Sequence, residues 1–148
     1  MTDETKPDLA QPIIQSEHEE LLSLLRSLKR RLDGPAWGDQ MVASLLDSLR
    51  EHLDTHFTYE ESEDGFDHLA RRAPWTSDRI DALVAEHRRL MASACDLASR
   101  ARSGPRTVPV WQELQNGFER LHDDLVAHES KEHDLLQEVY TQDIGDKD

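Results

Sequence analysis

From Leu114 to Val139, eight residues recur at alternating steps of four and three: Leu114, Phe118, Leu121, Leu125, His128, Glu132, Leu135 and Val139. That rhythm keeps one stripe of an α-helix turned toward a partner, whereas a half-buried strand would alternate every second residue. The same spacing returns three times upstream. One stripe runs Ile14, His18, Leu21, Leu25, Leu28, Leu32; a second runs Val42, Leu45, Leu49, Leu53, His56, Glu60; a third runs Ile80, Leu83, His87, Leu90, Met91, Ala94, Leu97.

Breakers separate the stripes. Ser16 and Glu19 match the spacing of a capping box, and Asp33-Gly34-Pro35 supplies a stop, which predicts a first helix over 16–32. The second is predicted over 38–62, ending before Asp64-Gly65, with a short helical turn over 66–72 halted by Pro74. Thr76 or Ser77 can cap the third, which meets Ser103-Gly104-Pro105, and the fourth starts near Pro109. Four helices with short connections predict an all-α fold, an antiparallel up-down-up-down four-helix bundle. A single domain is expected over residues 13–140, between disordered tails at 1–12 and 141–148. The 36% hydrophobic and 32% charged content suits narrow buried stripes with wide hydrated faces.

A formal net charge of -14 argues against nucleic acid and anionic lipid as partners. The acidic N-terminus MTDETKPDLAQP contains no apolar run, so neither a secretion signal nor a membrane anchor is expected there. A lone cysteine, Cys95, cannot form an internal disulfide, which fits a reducing compartment and a cytoplasmic location.

Titratable residues usually occupy the outer faces of bundle helices, since burying one without a partner costs several kcal/mol. Here every stripe contains a histidine: His18, His56, His87 and His128. Two stripes add a glutamate one turn on, Glu60 and Glu132, and the i, i+4 spacing lets each His-Glu pair aim at one point. At about 1.5 Å per residue, the six fall at one level of the bundle, toward the end that holds both chain termini. Four imidazoles and two carboxylates suit a pair of first-row transition metals with the carboxylates bridging. Calcium and magnesium would want oxygen ligands, and a structural zinc ion only four ligands.

These residues resemble a known pattern, that of the hemerythrin-like HHE cation-binding domain, whose ligands follow H, HxxxE, H, HxxxE across four helices. Here it reads SEHEELL with His18, HFTYEE with His56 and Glu60, AEHRRL with His87, and AHESKE with His128 and Glu132. The resemblance implies a non-heme diiron centre, two iron ions joined by an oxo or hydroxo bridge. Its metal ligands would be His18, His56, Glu60, His87, His128 and Glu132, with the two glutamates bridging. Oxygen-carrying members have HxxxH on the third long helix, where this chain has Leu83 and Met91 four residues either side of His87. They end in HxxxxD, where this chain has His133. A more carboxylate-weighted site is therefore expected.

The resemblance implies a protein that senses or reacts with a small oxidant, dioxygen, peroxide or nitric oxide, with peroxide consumption as the enzymatic form of that reading. Two alternatives are an iron-responsive interaction module, whose protein partner the sequence does not name, and a metal-free helical adaptor. His52, one turn before His56, is expected as a boundary histidine, with an additional ligand or a supporting partner of the site as alternatives; Glu61 and Glu129 are expected as exposed acids, with a ligand role for Glu129 as the alternative, and His68, His122 and His133 at the surface. Trp37, Trp75 and Trp111, near predicted helix starts, are expected as core end-caps or an interface.

Overall fold

A computed structural model describes residues 6–34 and 40–146, with side chains over 18–34 and 41–141. Five α-helices follow one another: α1 (Lys6–Asp33), α2 (Gln40–Glu60), α3 (Phe66–Arg72), α4 (Ser77–Ser103) and α5 (Val108–Asp146). One turn of 3-10 helix, Pro74–Thr76, joins α3 to α4, and no strand occurs among the described residues. The four long helices close a ring, with α1 against α2, α2 against α4, α4 against α5 and α5 against α1.

Local chemistry accounts for several boundaries. Pro109 lies in the first turn of α5, where a missing N–H breaks no helical hydrogen bond. Asp78 opens α4 while Arg100 and Arg102 close it, each sign opposite to the partial charge of its helix end. Gly65 follows α2 so closely that a Cβ there would lie 2.3 Å from the Glu60 carbonyl oxygen, which only glycine avoids. Trp111 donates its indole N–H to the Leu32 carbonyl at 3.2 Å, and the Gln115 amide donates to the same oxygen at 2.5 Å, so α5 satisfies the last turn of α1.

Several sequence expectations change. α1 begins at Lys6, so Ser16 and Glu19 lie inside a helix already under way rather than at its start. Helix also covers 6–12 and 141–146, parts of the segments expected as tails; residues 1–5 and 147–148 lie outside the described residues. On α2 the core position belongs to Leu46, which is buried, while Leu45 only packs at its edge. Met91 is likewise peripheral, and Ile14 lies outside the described side chains. The tryptophans also divide: Trp111 is buried, Trp75 is exposed, and Trp37 lies outside the described residues.

Apolar burial occurs in two blocks. The larger gathers Leu21, Leu25, Leu28 and Leu32 of α1, Leu46, Leu49, Leu53 and Phe57 of α2, and their counterparts on α4 and α5 through Leu125. The smaller gathers Phe66, Leu69 and Ala73 with Ile80, Leu83, Leu135, Leu136 and Val139, so α3 folds under the ring and plugs it. At about 1.5 to 3 kcal/mol per fully buried large aliphatic side chain, these blocks dominate the stability of the fold. Between them lies a layer that is not apolar.

Candidate metal centre

The intervening layer consists of the residues that interrupt the four stripes. His56, Glu60, His87, His128 and Glu132 are each about 1% exposed, and the side chain of His18 is 16% exposed. Their positions follow from helix geometry. His56 and Glu60, like His128 and Glu132, sit one turn apart on one face, and the apolar residues above and below them fix that face inward. The layer lies at the last turns of α2 and well inside α1 and α5, both of which run past it.

The six residues form two groups, each with one ligand atom per residue and all four atoms within 4.8 Å of one another. The first is His18, His56, Glu60 and Glu132; the second is Glu60, His87, His128 and Glu132. Both glutamates belong to both groups. Glu60 turns Oε2 toward the first, 3.2 Å from His56 Nε2 and 4.0 Å from His18 Nε2, and turns Oε1 toward the second, 3.0 Å from His87 Nε2. Glu132 does the same, with Oε2 3.2 Å from His18 Nε2, and Oε1 2.6 Å from His128 Nε2 and 3.6 Å from His87 Nε2.

Whether these residues suit cations can be judged from atoms that hydrogen bonding leaves unused. His87 Nε2, His128 Nε2 and Glu132 Oε1 are buried and make no hydrogen bond of acceptable geometry, despite their close approach. Orphaned buried polar atoms are rare and costly, yet this is how lone pairs lie when they converge on a common point. Two carboxylates enclosed together repel one another, and divalent cations between them would more than neutralise both. Imidazole and carboxylate in this proportion suit first-row transition metals. The residues fit such cations.

The field inside the layer has the same sense. Burial disfavours a charged His18, but Glu129 and Glu132 outweigh it and push the imidazole up to about 9. His128 is also raised, against burial, by Glu132 and Glu86. Burial alone would raise Glu132; a hydrogen bond with Glu60 and the imidazoles of His128, His18 and His87 instead hold it well below the usual carboxylate range. Positive charge is thus drawn to the layer by its own acids.

Further acids touch the outer nitrogens of the histidines. Nδ1 of His18 lies 2.9 Å from Glu129 Oε2, Nδ1 of His87 lies 2.8 Å from Glu61 Oε2, and Nδ1 of His128 lies 2.8 Å from Glu86 Oε1. Glu129 and Glu61 were expected as plain exposed acids, but Glu129 is largely buried and Glu61, although exposed, is engaged. Glu86 carries no sequence signal of its own beyond standing next to His87. His52 belongs to neither group; it stacks on His56 at 6.4 Å between centroids and, with Glu20, Ser48, Glu51 and Thr55, lines a cleft of about 300 Å³ that reaches His56. His133 is exposed, His122 is half-buried, and His68 holds a buried Nε2 without a hydrogen bond.

A ring of helices around converging imidazoles and carboxylates defines a helical cation-binding domain. The family model described as Hemerythrin HHE cation binding domain matches residues 10–140, and the chain belongs to that family. Comparison with curated proteins and with solved structures found no match. No helix among the described residues is long and apolar enough to cross a membrane.

Proposed function

We propose that the protein holds two non-heme iron ions and uses them to sense or react with a small oxidant: dioxygen, peroxide or nitric oxide. His18 and His56 would hold one ion and His87 and His128 the other, with Glu60 and Glu132 available to both. The observation that carries this reading is the division of each carboxylate between the two groups, one oxygen to each. Iron so held would supply a one-electron redox change and coordination positions open to a small molecule.

The chain's own residues prepare the site. The two apolar blocks exclude bulk water, Glu60 and Glu132 hold negative charge between the imidazoles, and the ligands come from all four long helices. Contacts support an antiparallel up-down-up-down bundle as their frame. Asp47 pairs with Arg102 while Glu61 pairs with His87, and Arg100 pairs with Glu113 while Arg79 pairs with Glu138. The net charge of -14 disfavours nucleic acid as a partner, and the exposed lone Cys95 supports a reducing, cytoplasmic setting.

Elemental analysis of protein from iron-supplied cells is the first test, with two irons per chain expected. Less than about 0.2 iron per chain, with no gain on anaerobic ferrous reconstitution, would sink the reading in favour of a metal-free helical adaptor. Mixing the reduced protein with dioxygen, peroxide or nitric oxide then divides the uses. Turnover of many equivalents of peroxide marks an enzyme; a single stoichiometric change in the near-ultraviolet bands marks a sensor; no response to any of the three favours an iron-responsive interaction module.

A further inference from the structure

The acids on the outer nitrogens are arranged in order around the bundle. Glu61, just after α2, reaches His87 of α4; Glu86 of α4 reaches His128 of α5; Glu129 of α5 reaches His18 of α1. Each acid stands beside a residue of the metal layer in sequence, Glu61 after Glu60, Glu86 before His87 and Glu129 after His128, yet serves the histidine of the next helix. Among the described residues, three of the four interfaces in the ring are linked in this way. At the fourth, between α1 and α2, Glu20 and His52 stand 3.9 Å apart beside a cleft that reaches His56.

We propose that Glu61, Glu86 and Glu129 are positioning residues of the metal centre: each accepts a hydrogen bond from Nδ1 of the histidine on the neighbouring helix and thereby presents that histidine's Nε2 to the ions. A neutral imidazole has one N–H and one lone pair, so a carboxylate on Nδ1 places the lone pair on Nε2. It also fixes the rotation of the ring and makes Nε2 a stronger donor. The Nε2 atoms of all three histidines lie 2.6 to 3.2 Å from the nearest bridging carboxylate oxygen, on the inner side of the rings. Glu86 is itself held from outside. Lys131 Nζ donates to its Oε2 at 2.5 Å.

This inference rests on the two-ion reading, and zinc is a suitable probe because it is diamagnetic and accepts the same ligands. Full-length protein is titrated with zinc against a chromophoric chelator, as wild type and as Glu61→Ala, Glu86→Ala and Glu129→Ala. Each variant is expected to bind zinc about 10- to 100-fold more weakly, with two ions still taken up at saturation. Gln in place of each Glu keeps an acceptor and is expected to recover part of the loss.

In zinc-loaded, 15N-histidine-labelled wild type, the Nδ1–H protons of His18, His87 and His128 are expected downfield and slow to exchange. Glu86→Ala should remove that of His128 alone. Affinities within twofold of wild type, with all three proton signals kept, overturn the positioning role while leaving the two-ion reading intact. Wild type that takes up no zinc overturns both. Where an alanine variant fails to fold, the Gln variant carries the test: its proton signal must shift upfield or exchange faster, and an unchanged signal counts against the proposal.

Discussion

The ring of Phe57 lies against the imidazole of His87, with centroids 3.9 Å apart and planes 11° from parallel. Phe57 is thus both the last large apolar side chain of the larger block on α2 and a wall against the His87 ring. Phe57→Ala is expected to destabilise the metal-free protein by about 3 to 5 kcal/mol, read from denaturant unfolding. It should also weaken metal binding, because His87 loses that wall. A variant that loses stability yet binds metal as wild type does would show that Glu61 alone orients the imidazole.

Glu60→Ala and Glu132→Ala each remove an acid shared by both groups, so each should lower the bound metal well below two per chain. The rise in melting temperature on metal loading should fall with it. His122→Ala and His133→Ala, on residues outside both groups, should keep full metal content. Metal content unchanged in both glutamate variants would remove the bridging assignment.

At the far end of the larger block, Trp111→Phe deletes the indole N–H that reaches the Leu32 carbonyl. Gln115 still donates to that oxygen, so the expected cost is about 0.5 to 1.5 kcal/mol, with metal stoichiometry unchanged. A larger loss that includes metal would mean that the end of α1 and the layer at His18 are rigidly coupled.

Burial, then the charges of Arg72 and Arg71, lowers His68 from its ordinary value of 6.5. The unfolded chain therefore takes up this proton first as pH falls, so the contribution of His68 to stability declines through pH 6.5 and levels off below its folded value. Wild type minus His68→Gln should show that decline between neutral and mildly acidic pH. An imidazole titrating at or above 6.5 by NMR would contradict it.

Much of the centre was legible because helical periodicity reports which side of each helix turns inward. His128 and Glu132 interrupt a run of leucines at the steps a buried face requires, and His56 and Glu60 repeat them. Periodicity says nothing of what a neighbouring helix brings to a side chain's flank. Glu86 and Glu129 sit beside their stripes, and only packing places them on a histidine of another helix. Leu45 and Leu46 are adjacent, and a stripe one residue wide cannot choose between them. The start of α1 was missed because residues before Ser16 include no sustained apolar stripe, while a Ser and a Glu three apart fit a helix interior as well as a helix start. The short helix α3 is legible at its observed bounds, Phe66–Arg72. Its role in closing the ring depends on Leu135, Leu136 and Val139, far along the chain.

The division of the ligands among four helices makes the centre a vernier. A slide of one residue between two long helices moves a donor by about 1.5 Å, more than the tolerance of a metal-ligand distance. A chain in which any one helix has slipped can remain helical and compact, but it would not hold the two proposed ions. On that reading metal content would record register, and spectroscopy of the loaded protein would detect misassembly that circular dichroism passes over.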